Sequence, residues 1–178
     1  EYSEGLIKNK HVIPEKYSYQ HSQRLTDNRH VEVIFDNKKN KIINIHKHIN
    51  NKWKMDSIEL VQDRLSSQLS LMLALQQASN FSYKQGAYEQ KEFIFPVADG
   101  GRIKQYSFKI IAEEKLETPL GVLNTIKLEH HRSNQNEVMI IWCAEEFAYL
   151  PVKILQQQPS LPDYISIIDT YTKKLMSK

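Results

Sequence analysis

The chain has 178 residues, 40% of them hydrophobic and 25% charged, enough for one globular domain with a real core and too few to expect two. The net charge of +3 comes from 24 basic and 21 acidic residues interleaved along the chain, so no nucleic-acid surface is expected. No run approaches the roughly 18 uninterrupted apolar residues of a membrane-spanning helix, and any membrane association is expected to be peripheral at most.

The first residues, Glu1-Tyr2-Ser3-Glu4-Gly5, lack a methionine and read as the product of processing or truncation. The dominant period after them is two, the spacing of half-buried strands. Tyr17, Tyr19 and His21 carry it, then Val31, Val33 and Phe35, followed by turn residues from Asp36 to Asn40. If Ile43 and Ile45 share the buried face of Val31, Val33 and Phe35, then Val33 stands opposite Ile45 and Phe35 opposite Ile43. Lys38, Lys39 and Asn40 then form a three-residue turn, and the other face gathers His30, Glu32, His46 and His48.

The period breaks over residues 63–78. Leu65, Leu69, Met72, Leu73 and Leu75, with Leu71 widening the stripe, predict an apolar helix capped by Asp63 and packed on a curved sheet. Period two returns at Phe93, Phe95 and Val97. A turn at Asp99-Gly100-Gly101, where positive φ is needed, leads to Tyr106, Phe108 and Ile110. A two-residue loop there pairs Phe93 with Tyr106; a three-residue loop pairs Val97 with Ile103. Ile126 and Leu128, Met139 and Ile141, Leu150, Val152 and Ile154, then Ile165 and Ile167 continue the series. Pro119-Leu120-Gly121, Ser133 to Asn136 and Pro159 to Pro162 punctuate it. Closely spaced strands with one helix predict a mainly β fold, an antiparallel meander. No repeat or linker divides the chain, so residues 1–178 read as a single domain.

No phosphate-binding loop, dinucleotide fingerprint or nucleophile elbow occurs, and 5 glycines leave little material for one. Cys143 stands alone, which excludes an internal disulfide framework. It could serve as a nucleophile with His130 or His131. However, it lies in Val138-Met139-Ile140-Ile141-Trp142-Cys143, apolar on both faces, where a thiol is a small buried hydrophobe. Glu113-Glu114 and Glu145-Glu146 are sequence neighbours, so on a strand they point to opposite faces and make poor acid–base pairs. His30, His46 and His48 could hold zinc if the hairpin register gathers them. Their plainer reading is an exposed polar face, and a shift of one residue would part His30 from His46. No enzyme activity, metal or cofactor is expected. Tyr17, Tyr19, Tyr106, Trp142 and Tyr149 either pack the core or line an apolar concavity.

Three ordered motifs carry a resemblance. Gln62-Asp63-Arg64-Leu65-Ser66 opens the helix, Thr118-Pro119-Leu120-Gly121 precedes the strand Val122 to Glu129, and Ile141-Trp142-Cys143-Ala144 leads to Tyr149-Leu150-Pro151-Val152-Lys153-Ile154. Together they resemble the domain of unknown function 3108 family over most of the chain. Two departures stand out: family members usually carry strands before the position of Glu1, and a less reactive residue is common at Cys143. The resemblance implies a periplasmic protein of the Gram-negative envelope with a partly open antiparallel barrel, similar in outline to carriers that hold acyl chains in a half-barrel. It brings no catalytic residues. With the apolar helix beside aromatic strands, it leads to the expectation of a non-enzymatic binding or carrier-like domain for an apolar or lipid ligand. The expected lining is Leu69, Met72, Leu73, Phe93, Phe95, Tyr106 and Trp142. The alternative is an envelope interaction or assembly module that binds another protein through an exposed sheet edge.

Overall fold

The computed structural model describes residues 1–22, 28–39, 41–46, 51–56, 60–78, 83–84, 87–88, 92–132, 138–158 and 161–172. The strands are β1 Tyr2–Lys8, β2 His11–Ser22, β3 Asn28–Asp36, β4 Lys41–His46 and β5 Asn51–Asp56, then the helix α1 Arg64–Gln77. A short pair, β6 Tyr83–Lys84 and β7 Ala87–Tyr88, follows. The rest are β8 Glu92–Asp99, β9 Arg102–Thr118, β10 Gly121–Arg132, β11 Val138–Ala144, β12 Leu150–Gln158 and β13 Leu161–Ile167. β1 to β5 form one antiparallel meander in chain order, and β8 to β13 form a second. The fold is therefore mainly β with one helix, and neither sheet is closed into a barrel. Among the described residues, no helix is long and apolar enough to cross a membrane.

The chain forms two compact units, one of residues 1–74 and 94–106, the other of residues 75–93 and 107–178. The first has a core of Tyr17, Val33, Phe35, Ile42, Val61 and Ala98, with Tyr19, Val31, Leu65 and Ile103 packed against it. Its β1–β2 turn is Asn9-Lys10, both at positive φ, the geometry of a two-residue hairpin loop. Glu4 pairs with Lys16 but Gly5 pairs with Pro14, so Glu15 is a bulge. That extra residue lets Val12 and Pro14 face the same way as Tyr17 and Tyr19.

The β3–β4 register differs by one residue from the one expected. Phe35 pairs with Ile42, Val33 with Asn44 and Val31 with His46. Ile42, fully buried, is the core residue of β4, while Ile43 and Ile45 lie on the face of Ile34 and Glu32. Asp36 explains the choice. Its carbonyl and Oδ1 each accept the Lys39 amide at 3.1 Å, which places Asp36 opposite Lys41 and lengthens the loop beyond three residues.

In the second unit, Leu123, Trp142, Ala144 and Val152 form a buried cluster with Leu116, Ile140, Phe147, Leu155 and Ile168. Ile141 and Cys143, on the opposite face of β11, are also buried. A central strand covered on both faces needs a continuous apolar run, which is why Val138–Ala144 does not alternate. Trp142 pairs with Lys153 while Cys143 pairs with Pro151. The intervening Val152 is thus a bulge, at which the missing amide of Pro151 is tolerated. At the β9–β10 turn, Thr118 Oγ1 accepts the Leu120 amide at 3.1 Å and donates to the Gly121 carbonyl at 2.9 Å. Gly121 has φ of 105°, open to glycine and costly for other residues.

Candidate functional site

The strongest site geometry lies in the first unit, where β1 and β2 meet the start of α1. Asp63 organises it. Its Oδ1 accepts the amides of Leu65 and Ser66, both at 2.9 Å, and its own amide donates to Ser66 Oγ at 2.8 Å. This is a capping box in which serine replaces the usual Glu or Gln. The second carboxylate oxygen accepts Ser3 Oγ at 2.8 Å, which ties β1 to the helix. Gln62 binds the segment from the other side. Its side chain donates to the carbonyls of Val12 and Leu60 at 3.0 and 3.1 Å, and its backbone bridges Pro96 and Ala98. Arg64 pairs with Glu1 at 3.2 Å and lies over the Tyr19 ring. The Gln62-Asp63-Arg64 motif thus fastens three strands to one helix end.

Beside this anchor is a groove of about 310 Å³, near the lower end for ligand pockets. Leu6, Ile7, Val12, Pro14, Leu65 and Leu69 supply its apolar lining, and Ser3, Glu4, Gly5 and Ser66 complete it. Gly5 permits the close approach of β1 to β2. A Cβ there would meet the Ile13 carbonyl and lie 2.8 Å from Pro14 Cα. Leu6 and Ile7 are each 58% exposed, unusual for apolar residues at adjacent strand positions.

Of the seven residues expected to line a cavity, Leu69 lines this groove. Met72, Leu73 and Phe95 are half-buried, and the buried helix positions are instead Ser66, Ser67, Leu71 and Leu75. Tyr106 is buried and donates to Asp99 Oδ2 at 3.1 Å. Phe93 and Trp142 belong to the second unit. Trp142 is 5% exposed, donates from Nε1 to Glu114 Oε1 at 2.5 Å, and has Lys127 and Lys153 over its ring at 5.0 and 4.7 Å. The two lysines are its cross-strand partners. The groove residues of β1 and β2 escaped the sequence reading, although Leu6-Ile7 and Val12-Ile13 flank an Asn9-Lys10 loop, a hairpin signal.

The observed β3–β4 register removes the proposed histidine site. His46 pairs with Val31, so His30 and His46 occupy positions on opposite faces. His48 lies outside the described residues. Among the described residues, no group of three His, Cys, Asp or Glu is arranged to hold a metal. Cys143 is fully buried, and burial pushes its thiol up to about 12. His130 Nδ1 donates to the Ser107 carbonyl at 3.0 Å while its ring stacks on Phe108. Cys143 pairs with Ile126; His130 lies four residues further along β10, about 13 Å at strand rise. In the second unit, a surface pocket of about 290 Å³ is lined mainly by Glu113, Glu114, Lys115, Asn124 and Glu145.

Asp99 gives the first unit a pH response. Its carboxylate is held below its ordinary value: burial alone would raise it, but Lys104 at 2.6 Å, Tyr106 and Arg64 outweigh that. A carboxyl depressed in the folded state stabilises above its unfolded value, about 3.9, and loses that contribution as pH falls through the folded value. Asp99→Asn is therefore expected to flatten the acid limb of the stability curve below about pH 4. Acid denaturation followed by circular dichroism checks it; an unchanged acid limb would show that the ion pair contributes nothing.

A family model described as a protein of unknown function, DUF3108, matches residues 1–159. No curated protein matches the chain. No solved structure matches it. The match takes in all three motifs, from the Asp63 anchor to the Val152 bulge, and the chain belongs to the DUF3108 family.

Proposed function

We propose that this chain is a non-enzymatic, carrier-like binding domain of the periplasm, taking an apolar or lipid chain in the groove between β1, β2 and α1. The observation that carries the reading is the groove itself. It is lined by Leu6, Ile7, Val12, Leu65 and Leu69, with a polar anchor at Ser3, Asp63 and Ser66 along one side. An apolar lining beside a few fixed polar groups suits a ligand with a hydrocarbon body and a polar end. No catalytic step is needed for such a role.

The test combines native mass spectrometry of full-length protein from a periplasmic fraction with titration of a fluorescent fatty-acid analogue. The expected result is a bound mass that partitions into organic solvent. Leu69→Arg, which places a charge in the apolar lining, is expected to weaken the analogue by tenfold or more. Because Leu69 is only half-buried, the variant should remain folded, which thermal unfolding verifies. A bare protein mass together with equal analogue affinity in both proteins sinks the reading.

A second reading, an envelope interaction or assembly module, is favoured by the edge of β1. Among the described residues this strand ends its sheet, and Tyr2, Leu6 and Ile7 are exposed.

A further inference from the structure

We propose that the end of the first sheet that carries the β1–β2 and β3–β4 turns docks on an anionic lipid surface. In an antiparallel meander these two turns lie at one end, and Asn37 Nδ2 donates to the Pro14 carbonyl at 3.2 Å, which fastens them side by side. Residues 8–11 and 36–41 hold five lysines (Lys8, Lys10, Lys38, Lys39 and Lys41) and one acidic residue, Asp36. That is +4 in ten residues of a chain whose total is +3, so the other residues together carry −1. All five lysines are exposed. Lys39 pairs with Asp36 at 3.6 Å. Glu15 and Asp56 border the set, the first next to Pro14 and the second opposite Lys41. The positive charge of the chain is thus gathered at this end, the electrostatic footprint of an anionic partner.

The Asn9-Lys10 turn holds Lys8 and Lys10 at the far end of β1 from Glu1, about 20 Å away at strand rise. A strand laid beside β1 would run along its edge and leave both turns projecting from the end of the sheet. Clustered lysines attract any polyanion, and two further features select a lipid surface. Leu60 is 49% exposed and sits at φ of 58°, a region leucine rarely adopts. Gln62 Nε2 donates to the carbonyls of both Leu60 and Val12, so Leu60 is held at the base of the β1–β2 hairpin. An exposed leucine among lysines fits a bilayer interface, where it enters the acyl boundary while the ammonium groups stay with the phosphates. The second feature is the groove. Its lining residues Ile7 and Val12 adjoin Lys8 and His11, so it reaches the docking end.

The test is co-sedimentation of the full-length protein with vesicles. Vesicles of equal parts phosphatidylcholine and phosphatidylglycerol should bind it roughly tenfold or more tightly than phosphatidylcholine alone. Salt at about 1 M should erase the difference, because the screening length falls to about 3 Å. Lys10→Gln and Lys38→Gln should each weaken binding about fivefold, the effect of one lysine near an anionic surface. Lys115→Gln, in the second unit, should leave binding unchanged. Leu60→Asn, which suits positive φ, should weaken binding to vesicles but not to a short DNA duplex, used as a lipid-free polyanion. Titration of the fatty-acid analogue, which Lys38→Gln should not alter, reports separately on the groove. Equal binding to both kinds of vesicle, or lysine variants that bind as the parent does, overturns the proposal. Binding to the duplex as tight as to anionic vesicles, with Leu60→Asn without effect on either, overturns the lipid assignment.

Discussion

Asp63→Ala is expected to lower the stability of the protein by about 2–4 kcal/mol, from the loss of a helix cap and of a charged, buried hydrogen bond. The side chain is fully buried and serves three donors: two helix amides and the Ser3 hydroxyl. Removing it leaves the first turn of α1 uncapped and frees β1 from the helix, so the groove should lose affinity for the fatty-acid analogue along with stability. Asp63→Asn keeps one oxygen to cap the helix, and its amide nitrogen, in the place of Oδ2, can donate to Ser3 Oγ instead of accepting from it. It should cost less than about 1 kcal/mol, since Asn and Asp cap comparably. Urea denaturation of the two variants checks this. If alanine proves as mild as asparagine, the carboxylate is not the anchor between strand and helix.

Trp142→Ala is expected to cost about 3–5 kcal/mol, the range for deleting a buried aromatic side chain. The indole packs among Leu123, Ala144 and Val152 and donates to Glu114. Trp142→Phe keeps most of the packing and loses the donor, so about 1–2 kcal/mol is expected from the unmade hydrogen bond. Glu114 also pairs with Lys127 at 3.6 Å, which should soften the effect of the phenylalanine. Both variants, where folded, should bind the fatty-acid analogue as the parent does, because no residue of the groove belongs to the second unit. A loss of binding with stability preserved would instead make Trp142 a ligand contact.

These two residues illustrate what was legible. Asp63 announced itself as a cap by standing before an unbroken helical run, and the structure places it there. Trp142 stood out as an aromatic on a strand, but an aromatic beside a cavity and an aromatic inside a core have the same local pattern. What separates them is the cover on each side, and that comes from residues distant in sequence such as Leu116 and Ile168. The groove was missed for a similar reason. Leu6 and Val12 each look like ordinary strand residues, and only the approach of α1 to their hairpin turns them into a lining.

The amino-acid sequence by itself determined β2 to β4 and β8 to β13, the single helix with its cap, and the glycine turn at Gly100-Gly101, both at positive φ. It also determined the double burial of β11. Each depends on periodicity or turn chemistry within a few residues, where the competing conformations differ in local energy. The tertiary structure alone decided the β3–β4 register, the bulges at Glu15 and Val152, and the groove. Lys41-Ile42-Ile43-Asn44-Ile45 offers an apolar residue to either face, so its pattern cannot choose between Ile42 and Ile43. The choice falls to the Asp36 turn and to the core that Ile42 completes with Tyr17, Val33 and Val61. Those partners are brought together only when the chain has folded, because register is a property of pairs of strands rather than of either one.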